Sequence, residues 1–177
     1  IVERSSSCPF PLGPSLYEDY DTLIDGYTRL YNNQMPSTLI SYKNISHNID
    51  HFFFADSGFF DVFTANVLNG VNHKYLNKPN TAVITANTAK LFFGYENAVG
   101  RKLTVENSYD VEIVAVVEDW PQHSHFHFSV LVSMETFKSL VKGSLPDNWI
   151  YNPCWTYVRL NEERHAHELS EKLPEFV

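Results

Sequence analysis

Apolar residues at Leu16, Tyr20, Leu23, Ile24, Tyr27, Leu30 and Tyr31 recur three or four positions apart, with Glu18, Asp19, Asp21 and Asp25 mostly between them. That spacing predicts an amphipathic helix, with Ser15 as its N-cap and Pro36 beyond its end. The runs TLISYKNI and NIDHFFFAD predict a strand pair around turn-forming residues at 44–48. In DSGFFDVFTANVLNG, Phe59, Phe60 and Phe63 are spaced to bury together on a short helical turn, capped by Asp56 or Ser57 and closed by Gly70. NHKYLNKPN follows as polar loop.

The same grammar then repeats in compact form. TAVIT predicts a strand, and the next segment a helix from about Asn87 through Phe93, stopping at Gly94 where positive φ is wanted. RKLTV and DVEIVAVVED flank ENSY as a hairpin. Phe126, Phe128, Val130 and Val132 alternate with His127, Ser129, Leu131 and Ser133, the period of a half-buried strand. METFKSLVKG predicts a short helix, WTYVRL a strand, and EERHAHELSEKL a last helix cut off by Pro174. Strands, short helices and hairpins, without long helices at regular intervals, predict an α+β fold. No internal repeat, heptad run or low-complexity tract interrupts it.

Composition narrows the function. The 177 residues are 44% hydrophobic and 15% aromatic, ample for a core. A formal charge of −8 repels nucleic-acid phosphates, so no nucleic acid is expected as a partner. No run approaches the roughly 20 apolar residues that span a bilayer. Cys8 and Cys154 lack the C-x-x-C spacing of a zinc or thioredoxin-like centre. One long-range disulfide and two separate thiols both remain open.

The candidate chemistry lies in DWPQHSHFHF (119–128). His123, His125 and His127 sit two apart, so a continuous strand would put the imidazoles on one face, with Glu118 and Asp119 upstream as oxygen ligands. A metal-binding module or metal-dependent hydrolase is the functional alternative this raises. The blander reading gives the core face to Phe126, Phe128 and Val130 and leaves the imidazoles on the wet face. His165 and His167, two apart on a helix, do not face one another. Asp56 with Asp61, and Glu118 with Asp119, read as caps and turn formers before they read as acid/base pairs. Neither a G-x-S-x-G elbow nor a Walker loop is present.

Taken in order, ADSGFFDVFTANVLNG, KPNTAVITANTAKLFFGYENAVGRKL, VEIVAVVEDWPQHSHFHFSVLVS and WTYVRL resemble the MacB-like periplasmic core domain, the extracytoplasmic domain of FtsX/MacB-type ABC transporter permeases. The likeness covers roughly residues 50–160. It implies scaffold roles for Phe59, Phe60, Phe63, Gly70, Ala89, Phe93, Gly94, Gly100, Asp119, Pro121, Ser124, His125 and Phe128, with no catalytic residue, cofactor or metal. Ser124, His125 and Phe128 fall on the family's Ser-His-x-x-Phe, which favours a turn-and-strand role over a metal site. The resemblance further implies a two-lobed mixed α/β ectodomain. After a lead at 1–14, a porter-like lobe takes 15–55 and 134–177, with a smaller strand-rich lobe inserted at 56–133. One membrane helix would precede such a region and three would follow. Implied partners are a cytoplasmic ABC ATPase acting through those helices, a second permease copy, and a periplasmic adaptor, lipoprotein or peptide client. The implied location is the periplasmic face of the inner membrane. A free-standing adhesion domain would show the same inert chemistry without membrane flanks.

Overall fold

The computed structural model describes residues 7–70 and 75–176, so residues 1–6 of the lead and 72–74 of the polar loop lie outside the described residues. It confirms an α+β architecture of ten strands and five helices among those residues. One mixed sheet runs in the order β10-β1-β4-β9-β6-β8-β7-β2-β3, and β5 adds to β8. The strands are β1 (Ile24–Tyr31), β2 (Thr38–Tyr42), β3 (Ile45–Ile49), β4 (Phe52–Ala55), β5 (Val67–Gly70), β6 (Thr81–Thr85), β7 (Lys102–Val105), β8 (Tyr109–Val117), β9 (Val130–Ser133) and β10 (Trp155–Leu160). The helices are α1 (Leu12–Asp19), α2 (Phe59–Val62), α3 (Ala86–Phe93), α4 (Met134–Leu140) and α5 (His165–Phe176). The pairs β4–β9 and β6–β8 are parallel, and the other pairings antiparallel. None of the helices in the described residues is long and apolar enough to cross a membrane.

Both faces of the central strands are covered, and their alternation divides the core in two. Ala82, Ile84, Val130 and Val132 point to one side, where they meet Phe92 and Phe93 of α3, Met134 and Phe137 of α4, and Phe10. Val83 and Leu131 point to the other, where they meet Phe59 of α2, Tyr75, Leu76 and Phe128. Period-two alternation with apolar residues at every position is the signature of a strand covered on both sides. A third, smaller cluster of Leu16, Leu23, Ile24 and Leu169 ties α1 and the start of β1 to α5.

The expected long first helix is instead α1 followed by β1. Helix α1 starts earlier than Ser15, with Pro11 as its cap residue, and ends at Tyr20, whose N–H reaches Leu16 O at 3.0 Å. Pro14 fits in the first turn, where an N–H has no intrahelical partner anyway. A Cβ on Gly13 would sit 2.8 Å from the Tyr27 ring, so the glycine is what lets α1 lie against β1. The second half of the apolar pattern belongs to a strand paired on both edges, with Thr28, Arg29, Leu30 and Tyr31 all buried. Apolar residues on both faces of a buried strand mimic helical spacing, and the long-range pairing decides between them.

Four smaller expectations are corrected. The hairpin turn is Lys43–Asn44, with Lys43 at φ 52°, and residues 45–49 form β3. An edge strand exposed on one side can be polar, which is why Ser46, His47 and Asn48 read as turn. Strand β9 begins only at Val130 and is buried throughout, so Phe126 and Phe128 belong to the preceding loop. Neither Asp56 nor Ser57 caps α2; its cap position is Gly58, without a side-chain hydrogen bond. Pro174 lies inside α5, whose final Phe176 packs on Tyr20 and Trp149 at ring distances of 5.8 and 5.9 Å.

Candidate functional site

The loop 118–129, between β8 and β9, wraps over Phe59, which is fully buried. Phe59 centres an aromatic cluster, with ring distances of 5.1 Å to Phe63, 5.9 Å to Trp120, 6.4 Å to Phe126 and 5.6 Å to Phe128. Edge-on and tilted rings at these separations add to the apolar burial.

Polar groups in the same loop fix its path. Asp119 Oδ1 accepts from the Asn87 N–H at 3.0 Å, satisfying an orphan donor in the first turn of α3, beside the Thr85 hydroxyl that caps Thr88. The Trp120 indole N–H donates to Ser124 Oγ at 2.9 Å, and the Ser124 N–H donates to Pro121 O at 3.0 Å, closing a tight turn. His125 leaves this turn toward β10, where its Nε2 lies 3.0 Å from the Tyr157 hydroxyl.

Below that contact is a cavity of about 340 Å³ lined by Leu30 of β1, Phe53 of β4, His125 and Phe126 of the loop, and Trp155 and Tyr157 of β10. Burial raises the Tyr157 phenol above its ordinary range, with a further push from Cys8, so the hydroxyl stays protonated. The lining is a largely aromatic wall whose polar members are the His125–Tyr157 pair and Thr156. Such a surface suits an apolar group carrying one hydrogen-bonding atom.

The three histidines do not converge. His125 is turned to Tyr157 and the Phe126 ring, His127 has its ring 6.1 Å from His51, and His123 is exposed. Among the described residues no group of three His, Cys, Asp or Glu side chains is placed to hold a metal ion. The metal reading finds no support in this geometry. Asp119 is engaged at α3, while Asp56 forms a two-pronged ion pair with Arg29. The backbone carbonyl of Asp61 accepts from Arg159.

The remaining motif positions are spread over the scaffold. Phe60 meets Tyr75 at 5.2 Å, and Phe63 meets Tyr157 at 5.0 Å. Gly70 ends β5, where a Cβ would lie 2.9 Å from the Tyr75 ring and 3.0 Å from Ala115. Ala89 packs against the first core cluster from α3. Phe93 packs edge-on to Tyr42 at 4.6 Å, Gly94 closes α3 at φ 62°, and Gly100 sits at φ 85° with its N–H on Ile113 O. Sequence reasoning passed over Phe53, Trp155 and Tyr157 as cavity residues. The alternation in WTYVRL, which puts Trp155 and Tyr157 on one face, is the signal that could have found the last two.

The family model for the MacB-like periplasmic core domain matches residues 14–176. Among solved structures, a domain described as part of a permease protein from Porphyromonas gingivalis superposes with a TM-score of 0.76 at 21% identity, covering 97% of this chain and 70% of that one. The periplasmic region of MacB from Actinobacillus actinomycetemcomitans gives 0.72 at 14% identity, covering 96% and 72%. The extracellular domain of the noncanonic ABC-type transporter YknZ from Gram-positive bacteria gives 0.66 at 14%, covering 93% and 79%. At these identities the likeness establishes the fold. No curated protein matches the sequence.

Proposed function

The chain belongs to the MacB-like periplasmic core domain family, the extracytoplasmic domains of ABC transporter permeases, and from that premise we propose that it is a non-catalytic transmission element. ATP-driven closure of cytoplasmic ATPase subunits shifts the membrane helices, and two copies of this domain change their spacing to move or release an extracytoplasmic client. Lipoprotein and peptide are the client classes in view, with a periplasmic adaptor as a further partner. The family match over residues 14–176 carries the reading. Further support comes from the continuous sheet, which joins strands of both the 15–55/134–177 segments and the 56–133 segment and can pass a displacement across the domain. Within this reading those segments are the porter-like lobe and the inserted lobe. Transmission requires two discrete arrangements with different affinities for nucleotide-bound and nucleotide-free partners.

The test is a distance measurement in the full permease, reconstituted with its ATPase. A genetically encoded spin label, requiring no cysteine, replaces Tyr95, which is 98% exposed. The expected result is two distinct inter-copy distance populations, one for the nucleotide-free and one for the ATP-trapped state. A single distribution unchanged by nucleotide, in a preparation that hydrolyses ATP, would sink the proposal.

A further inference from the structure

Cys8 and Cys154, separated by 146 positions, face each other across an isolated antiparallel bridge. The Cys8 N–H donates to Cys154 O at 2.7 Å and the Cys154 N–H donates to Cys8 O at 3.2 Å. A doubly bonded antiparallel pair holds its Cα atoms roughly 5.5 Å apart with both side chains on one face. A disulfide spans about 4.4–6.8 Å between Cα atoms, and the spacing of such a pair falls within that range. Each thiol already reaches toward the other residue: Cys8 Sγ lies 3.3 Å from Cys154 O, and Cys154 Sγ lies 3.2 Å from Cys8 O.

The segment carrying Cys8 is firmly seated. Phe10 is buried against Tyr31 and Phe137 at ring distances of 5.3 and 5.9 Å, and its carbonyl accepts from Arg29 Nη1 at 2.8 Å. A cleft of about 500 Å³ lies beside the bridge, walled among others by Ser7, Pro153 and Trp155, the sequence neighbours of the two cysteines. Cys154 is wholly buried, while Cys8 is partly exposed.

We propose that Cys8 and Cys154 form an intramolecular disulfide that fastens the segment before α1 to the start of β10, closed by exchange with a disulfide oxidant. The proposal rests on the extracytoplasmic location, because such bonds persist in oxidising compartments. The Cys8 thiolate attacks one sulfur of the oxidant's disulfide and expels a thiolate. Cys154 then attacks the Cys8 sulfur of the mixed disulfide, gives up its proton, and expels the second thiolate. Two electrons and two protons leave the cysteines, and the oxidant becomes two thiols.

The division of labour follows from the surroundings. The hydrogen bond with the Cys154 thiol, helped by the Thr156 hydroxyl 3.1 Å away and by the Arg29 charge, brings Cys8 down to about 6 against the opposing effect of burial. That same hydrogen bond, together with burial, pushes Cys154 up. Cys8 is therefore the thiolate that starts the exchange, and Cys154 the thiol that resolves it.

The test equilibrates the purified, reduced chain in glutathione buffers of graded ratio, traps remaining thiols with an alkylating agent, and maps the peptides by mass spectrometry. The expected product is a monomer with no alkylatable thiol and a linked Cys8–Cys154 peptide, melting about 5–10 °C above the reduced form. Two alkylatable thiols at every ratio overturn the proposal. So does Cys8 joined to glutathione or to a second molecule while Cys154 stays a thiol. Since Cys154 lies in the core and its variants can unfold, the reference is Cys8→Ser. A redox-dependent shift in melting that survives in C8S also overturns the proposal. Because the oxidant is supplied in the tube, failure here bears on the disulfide alone, while impermeant labelling of Tyr95→Cys in intact cells reads the location separately.

Discussion

Arg29 and Asp56 show how one buried polar contact organises a neighbourhood. Their side chains are 10% and 15% exposed, the guanidinium meets both carboxylate oxygens at 2.8 and 2.9 Å, and the Arg29 N–H donates to the same carboxylate. Burial alone would lower the Arg29 pKa, but the hydrogen bonds and charge of Asp56 outweigh it and hold the guanidinium above its ordinary value. Removing one partner leaves a desolvated charge, so Asp56→Ala should cost about 3–5 kcal/mol by denaturant titration. A loss below about 1 kcal/mol would mean that water already solvates the pair. The buried tyrosines give a second expectation, on pH. Burial, with the nearby Tyr151 adding to it, raises Tyr31 from 10.0 to about 12, and burial also raises Tyr109. The native state keeps these phenols neutral where the unfolded chain ionises them. The Tyr31 contribution is therefore complete below pH 10 and is lost as pH rises through the interval up to about 12, and that of Tyr109 is lost in the same direction. For Tyr31 the slope is about 1.4 kcal/mol per pH unit, and Tyr31→Phe should flatten it. Unfolding curves identical at pH 9 and 11 would contradict this.

At the scale of elements, α3 shows sequence and structure in agreement. Its cap at Thr85 and its stop at Gly94 are both local chemistry, and Gly94 adopts φ 62°, ψ −115°, a region open to little besides glycine. Nothing lies within 4 Å of where a Cβ on Gly94 would sit, so strain there is purely backbone. Gly94→Ala should cost about 1–3 kcal/mol with the rest of the fold intact; a neutral result would show that the turn relaxes freely. The hairpin β7–β8 and the helix α4 are legible for the same reason, since the pairing strand and the Ser133 cap are near in sequence. Strand β1 is not. Its partners are β10 and β4, and nothing in IDGYTRLY says that Tyr27 will lie beside Val158 or Tyr31 beside Phe54. The candidate site divides similarly. The turn at Asp119, Pro121, Ser124 and His125 can be read from residue types, whereas the cavity needs Leu30, Phe53 and Tyr157 from three strands whose adjacency is set by the sheet order.

For the molecule as a whole, the distribution of buried side chains predicts where it opens first. Strands β6 and β9 lie at the middle of the sheet with covered faces on both sides, and nearly every residue in them is buried. Helix α5 buries only Leu169 and rests on a small cluster at one end of the sheet, formed with Leu16, Leu23 and Ile24. Its detachment exposes little apolar surface and breaks no strand pairing, so it should require far less free energy than global unfolding. Hydrogen exchange of the native protein should therefore show α5 amides exchanging through a local opening insensitive to denaturant, while β6 and β9 amides exchange only with the global transition. In the transmission reading this contrast is useful. A stiff sheet carries displacement, and a loosely held terminal helix allows the domain to be pulled without unfolding its centre. Equal protection of α5 and β6 would make the domain one cooperative block, and any motion it transmits would then be that of a rigid body.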